Sequence, residues 1–175
     1  MFSKLEKLFM VVTVVVLAGC AGKDFVRPTS ETFRLNETTY AQVVQQMGDP
    51  KNSGEVEKNG KYVRSISYTY ASTGGEPAEK GVIPARALVY FFHNGVLVGQ
   101  SFLSSFKSDN TNFDETKIGS IIKGKTTKSE VIKLLGMPSA SMVAPMVEET
   151  RGEAVGYQYS TVSGGVFSGF KFLPR

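Results

Sequence analysis

The chain has 175 residues, 41% of them hydrophobic, 21% charged and 11% aromatic, enough for one ordinary domain or two small ones with a core. One cysteine, one histidine and no tryptophan exclude an intrachain disulfide, a Cys/His zinc cluster and a His-rich metal site built from protein alone. The formal charge of +4 falls to +3 when residues 1–19 are set aside, too small an excess to argue for nucleic acid as a partner.

Lys4 and Lys7 precede an apolar run of 11 residues, Leu8 to Ala18, and the small Gly19 stands before Cys20. A spanning helix needs about 20 apolar residues, so residues 1–19 read as a secretory signal that is removed. Leu17-Ala18-Gly19-Cys20 resembles the lipobox of bacterial lipoproteins. That resemblance implies that the Cys20 thiol takes a diacylglyceryl group, that the chain is cut just before it, and that the freed amino group is usually acylated as well. Each buried methylene contributes roughly 0.8 kcal/mol, so several chains anchor far more firmly than one. In a Gram-negative envelope, Ala21 rather than Asp at the second mature position implies sorting to the outer membrane. The alternatives are an ordinary signal that ends near a cysteine, or a free thiol. Residues 20–34, polar and without hydrophobic period, predict a lipidated tether, with at most a weak helix near Ser30–Leu35.

Thr38-Thr39-Tyr40-Ala41-Gln42-Val43-Val44-Gln45-Gln46-Met47-Gly48-Asp49-Pro50 is echoed 88 residues later, from Thr126 to Pro138. Thr39 and Thr127 are candidate N-caps, with Gln42 and Glu130 placed three residues on to complete a capping box. Tyr40, Val43, Val44 and Met47 form one apolar stripe at helical spacing, and Val131, Ile132 and Leu135 repeat its inner part. Gly48 and Gly136 suit a left-handed helix stop, followed two residues later by Pro50 and Pro138. The echo continues in Tyr68-Thr69-Tyr70 and Tyr157-Gln158-Tyr159.

The predicted strands follow. Tyr62–Ala71 puts Ile66, Tyr68 and Tyr70 on one face and Ser65, Ser67 and Thr69 on the other. Ser72–Pro84 is long for a turn and predicts a mobile or partner-binding excursion. Ala85–Phe92 and Val96–Phe106 form a hairpin around His93-Asn94-Gly95, where Asn-Gly favours a type I′ turn. The second half predicts a helical lead at Asp114–Lys123, the repeat helix, and strands at Ala140–Glu149, Ala154–Thr161 and Val166–Leu173. The fold class is therefore α+β: two tandem units, each one or two short helices on a three- or four-stranded antiparallel sheet. The division is 1–19 signal, 20–34 tether, 35–106 first unit, 107–113 linker and 114–175 second unit.

A Thr-x-x-x-Val helix ended by Gly-x-Pro, then antiparallel strands, in a lipidated envelope protein, resembles the SmpA/OmlA (BamE-like) lipoproteins. Thr126, Thr127, Val131, Gly136 and Pro138 carry the match, and Thr38, Thr39, Val43, Gly48 and Pro50 repeat it. The family supplies a small accessory lipoprotein to the outer-membrane β-barrel assembly machinery. Two units in one chain are similar to the tandem fold of the β-lactamase inhibitory proteins, although those carry disulfides. The matched residues are structural, so the resemblance transfers no binding residue. It implies a non-enzymatic, lipid-anchored adaptor that faces the periplasm within an envelope complex, for barrel assembly or secretion. The alternative is an inhibitor module that captures an envelope enzyme.

Catalytic candidates are few. His93 reads as a turn residue, since no Gly-x-Ser-x-Gly elbow accompanies it. Glu148 and Glu149 point to opposite faces on a strand, and so do not form a glycosidase-like pair. Gly164, Gly165 and Gly169 lack the lysine and the strand-to-helix setting of a phosphate loop. No cofactor, metal or small-molecule substrate is expected. Lys117, Lys123, Lys125, Lys128 and Lys133 read as a solvated face, with anionic lipid or an acidic protein as the alternative. Phe91 and Phe92 cannot share one face, so an exposed aromatic strip would mark a partner site.

Overall fold

The computed structural model describes residues 22–29, 31–109, 112–148 and 152–158, with the backbone of two strands at 161–163 and 166–168. In chain order these give helix α1 (Tyr40–Met47) and strands β1 (Asn52–Lys58), β2 (Lys61–Ala71), β3 (Ala85–His93) and β4 (Val96–Ser104). Two 3-10 turns follow at Lys107–Asp109 and Glu115–Ser120, then helix α2 (Lys128–Leu135). The short strands β5 (Ala140–Met142), β6 (Ala154–Gly156), β7 (Thr161–Ser163) and β8 (Val166–Ser168) come last. Strands β1 to β6 form one antiparallel sheet in sequence order, and β7 pairs with β8 apart from it.

The protein is therefore α+β, with one six-stranded sheet among the described residues where the sequence predicts a sheet for each half. The halves join because Gly99–Ser101 on the outer side of β4 pairs with β5, which occupies an edge that would otherwise hold unpaired backbone groups.

Both repeated helices form as expected. Thr39 and Thr127 each close a full capping box with Gln42 and Glu130. Gly48 at φ 83° and Gly136 at φ 85° end them, and their N–H groups donate to Val44 and Ile132. The likeness extends upstream. The Arg34 N–H donates to Thr38 Oγ1 and the Ile122 N–H to Thr126 Oγ1, both at 2.8 Å. It extends into the sheet as well: Tyr68 Oη donates to the Gly48 carbonyl and Tyr157 Oη to that of Gly136, again both at 2.8 Å. Each glycine that stops a helix is thus tied to a strand tyrosine.

The face of the sheet under α1 holds the core. Phe33, Val43, Ile66, Tyr68, Leu88, Tyr90, Phe92, Leu97 and Phe102 are buried together, with Phe33 set edge-on to Tyr90. Asn94 and Gly95, at φ 51° and 77°, make the expected hairpin turn between β3 and β4. That hairpin also fixes the start of α1, because the Tyr40 N–H donates to Gly95 and the Leu97 N–H to Thr38. A bulge after Phe91 pairs Phe92 with Leu97 and Phe91 with Gly99, so the two phenylalanines face opposite sides. Phe92 is in the core. Phe91 is half-buried against Gly99 on the far face, where Met142 and Met146 also close in. The exposed aromatic strip does not form there, because the stretch after β5 crosses that face: the Val143 N–H donates to Val98 and the Pro145 carbonyl accepts from Asn59.

Several expectations are corrected. No helix forms at Ser30–Leu35; the described part is turn, closed by Thr32 and Phe33 N–H groups on the Thr29 carbonyl. The helical lead at Asp114–Lys123 is a 3-10 turn capped by Asp114. Among the described residues the later strands have three residues each, and β5 stops before Pro145, which has no N–H to continue a ladder; residues 149, 159–160 and 169–173 of the expected strands lie outside the described residues. The Ser72–Pro84 excursion is pinned down, since the Ala78 N–H donates to Ser105, Lys107 to Glu76, and the Gly75 position abuts the Phe106 ring. Lys107–Asp109, expected in a linker, holds an ion pair to β3 through Asp109 and Arg86 at 2.7 Å.

The expected tether is folded too, from its first described residue. Gly22 lies at φ 71° with its missing Cβ position against the Thr69 carbonyl oxygen, so only glycine fits there. Arg86 on β3 then holds the Asp24 carboxylate and the Phe25 carbonyl, and Arg27 sits over the Phe102 ring of β4 while donating to the Pro138 carbonyl. The segment is a strap crossing β2, β3 and β4 in turn. Sequence missed it because its contacts are polar and reach 61, 62 and 111 residues along the chain.

Two outcomes test this account. Tyr68→Phe and Tyr157→Phe should each lower unfolding stability by about 1 kcal/mol in urea titration, because each leaves a helix-ending carbonyl without its donor. The hydroxyl of Tyr90, fully buried, has no hydrogen-bond partner among the described residues, so Tyr90→Phe should leave stability unchanged or raise it. The second outcome concerns acid. Backbone and hydroxyl donation from Thr127 hold the Glu130 carboxylate below the usual glutamate range. Its contribution is whole above that range and is lost as pH falls through the lowered value. Amide exchange at the start of α2 should therefore rise in acid, whereas α1, boxed by the neutral Gln42, should not follow.

Candidate docking groove

The face that carries the helices has a groove of about 550 Å³ between α2 and the strap. Its floor is sheet, from Leu88 on β3, Gln100 and Phe102 on β4, and Ser141 on β5. Its walls are Arg27, Pro28, Phe33, Arg34 and Leu35 on one side and Ile132, Met137 and Pro138 on the other. The helix-stop geometry at Gly136 turns the chain so that Met137 stands 59% exposed at the rim. At the mouth, Lys128 and Glu153 pair at 2.6 Å, both largely in solvent, so the pair adds little stability and is open to exchange for another partner.

Arg27 is one of four charged side chains that line the groove, with Arg34, Lys128 and Glu153. Burial pulls the Arg27 pKa down, with the field of Asp109 working the other way, and no carboxylate among the described residues lies within salt-bridge distance of it. Its contacts are one carbonyl, that of Pro138, and the face of Phe102 with the guanidinium carbon 5.1 Å from the ring centre. A guanidinium has five donors in a planar fork that matches a carboxylate. Arg86 shows the contrast: its hydrogen bonds to the Asp109 carboxylate raise its pKa, Asp24 adds to this, and its guanidinium also lies 4.4 Å over Phe106. One arginine is satisfied by the fold; the other presents unused donors to an apolar groove.

The remaining candidates are dispersed. His93 Nδ1 lies 2.9 Å from the Tyr62 carbonyl at the hairpin end, with no serine or carboxylate paired to it. Glu148 is exposed, while Glu149, Gly164, Gly165 and Gly169 lie outside the described residues, as do Cys20 and Tyr159. Lys117, Lys123, Lys125, Lys128 and Lys133 are all exposed; Lys117 pairs with Asp114 at 3.7 Å and Lys128 with Glu153. Among the described residues there is no cluster of three or more metal-ligating side chains and no helix long and apolar enough to cross a membrane.

Arg27 was not singled out by sequence, although a signal existed. Phe25 and Arg27 alternate with the exposed Val26 as in an extended segment, which places the arginine inward and the valine outward, against the usual hydropathy rule.

Replacing Arg27 with Met should hold or raise the thermal midpoint, since the change removes a desolvated cation and keeps most of the apolar stem. A fall in the midpoint of more than a few degrees, measured by calorimetry, would mean that the fold itself needs the charge.

Comparison with family models, with curated proteins and with solved structures finds no match to this chain.

Proposed function

We propose that this chain is a non-enzymatic lipoprotein of the bacterial outer membrane, anchored through acyl groups on Cys20, facing the periplasm and acting as an adaptor in an envelope protein complex. Barrel assembly or secretion is the setting suggested by the BamE-like resemblance. The observation that carries the adaptor reading is the groove itself: an apolar channel with an arginine whose donors the fold leaves unused, framed by a helix and a strap held from both ends. Such a channel suits an acidic or C-terminal segment of another protein, whose carboxylate would take the planar fork of the Arg27 guanidinium.

The tandem-unit reading has independent support. The two capped helices share their N-terminal box, their glycine stop, the upstream threonine bond and the tyrosine tie to the sheet. Three of these details repeat 88 residues apart and the tyrosine tie 89 apart; duplication of a helix-plus-strand unit, merged into one sheet, accounts for all four better than chance convergence does.

Cys20→Ser should move the protein from membranes to the soluble fraction. Gentle extraction of the parent should recover a stoichiometric protein partner, and Met137→Asp at the exposed rim should reduce that recovery at least about tenfold, equivalent to 1.4 kcal/mol. A parent isolated alone, or a partner indifferent to Met137, would overturn the groove as the docking site.

A further inference from the structure

Gly22, two residues after the proposed anchor, is already fastened to the sheet. Its backbone lies against the Thr69 carbonyl, where β2 runs on past the start of β1 opposite Ser67. Behind it, Arg86 grips Asp24 at 2.5 Å and the Phe25 carbonyl at 2.9 Å, and Phe25 packs on the core. Two residues of chain reach at most about 7 Å. Acyl chains on Cys20 would therefore start within that reach of Gly22 and Thr69.

That place defines a pole. Residues Thr69, Ala87 and Leu103 stand side by side across β2, β3 and β4, and the strap runs along this end of the strands. The β2–β3 connection belongs to the same end, closed where the Ser72 N–H donates to Pro84. Two of the chain's exposed apolar side chains project here, Val26 from the strap at 83% and Ile83 beside Pro84 at 61%. Exposed Lys23 and Lys51 flank the leader, where α1 ends against it. The opposite pole carries the Asn59-Gly60 and Asn94-Gly95 turns. Thr69 to Lys61 is eight residues of strand, or about 26 Å.

We infer that the docked leader sets this pole on the lipid surface, with Val26 and Ile83 entering the interfacial layer, and holds the Asn59-Gly60 and Asn94-Gly95 turns about 26 Å farther out. The occupant is a bilayer because the anchor emerges at this pole and nowhere else along the sheet. Apolar side chains flanked by lysines suit the boundary between headgroups and acyl chains. The inference rests on acylation of Cys20.

The test uses the mature acylated protein. With Cys20 blocked by lipid no other thiol exists, so Val26→Cys, Ile83→Cys, Lys58→Cys and Lys61→Cys each accept a single environment-sensitive fluorophore. The proteins are placed in vesicles of phosphatidylethanolamine and phosphatidylglycerol that contain brominated phosphatidylcholine. Flotation with the vesicles reports the anchor. Bromine quenching reports orientation, and should be severalfold stronger at positions 26 and 83 than at 58 and 61. Gly22→Val, which cannot sit against Thr69, should float equally well but lose that contrast. Proteins that float with equal quenching at all four positions, or with stronger quenching at 58 and 61, overturn the orientation and leave the anchor standing. Failure to float overturns both.

Discussion

A strand tyrosine whose hydroxyl donates to the carbonyl of a helix-ending glycine is the contact on which this architecture turns. Helices of eight residues are too short to persist alone in water, and both helices here have eight. Each is therefore held at its ends: a capping box satisfies the first N–H groups, and the tyrosine takes up the carbonyl left over at the stop. Burial pushes the Tyr68 hydroxyl pKa up to about 12, with Tyr40 and Asp49 adding to the shift. It consequently remains protonated, and remains a donor, throughout the range in which the protein works. Once the helix ends are fixed, the stripe through Val43 has one place to pack, over Ile66, Tyr90 and Leu97.

What sequence makes legible follows from range and chemistry. Caps, glycine stops and the Asn-Gly hairpin are local, each written within a few residues, and each stands where the spacing puts it. The alternation through Ile66, Tyr68 and Tyr70 is likewise local, and Tyr70 stacks on Phe106 with ring centres 5.9 Å apart. The contacts of residues 22–34 and 107–109 are not legible for the opposite reason. Low hydropathy there gives no sign of order, yet Asp24, Arg27 and Asp109 are held by partners far along the chain, and Phe33 is 2% exposed. The separate second sheet fails because pairing of β5 with β4 is a tertiary choice, and no local pattern states which edge a three-residue strand will join. The groove inherits this limit: its lysine and methionine rim lies in the legible repeat, but its Arg27 comes from the strap.

The two arginines of the strap region divide structural and binding work. Arg86 and Asp109 are nearly enclosed, at 12% and 10% side-chain exposure, and the Ser104 hydroxyl also serves that carboxylate. Every charge there has a partner, so the cluster is a lock. Arg27, a few residues from the same strap's start, bridges the helical stop at Pro138 to β4 with donors to spare. Its one carbonyl contact touches the second half on that face, while the β4–β5 pairing is what joins the halves in the sheet.

β1 forms the outer edge of the sheet, and its exposed residues include Gly54, Glu55, Glu57 and Lys58. A bare strand edge offers its unpaired backbone groups to any second copy it meets. Alternating acids and a lysine along β1 make such pairing repulsive or register-bound, so the sheet meets its siblings as a bumper and keeps its backbone to itself.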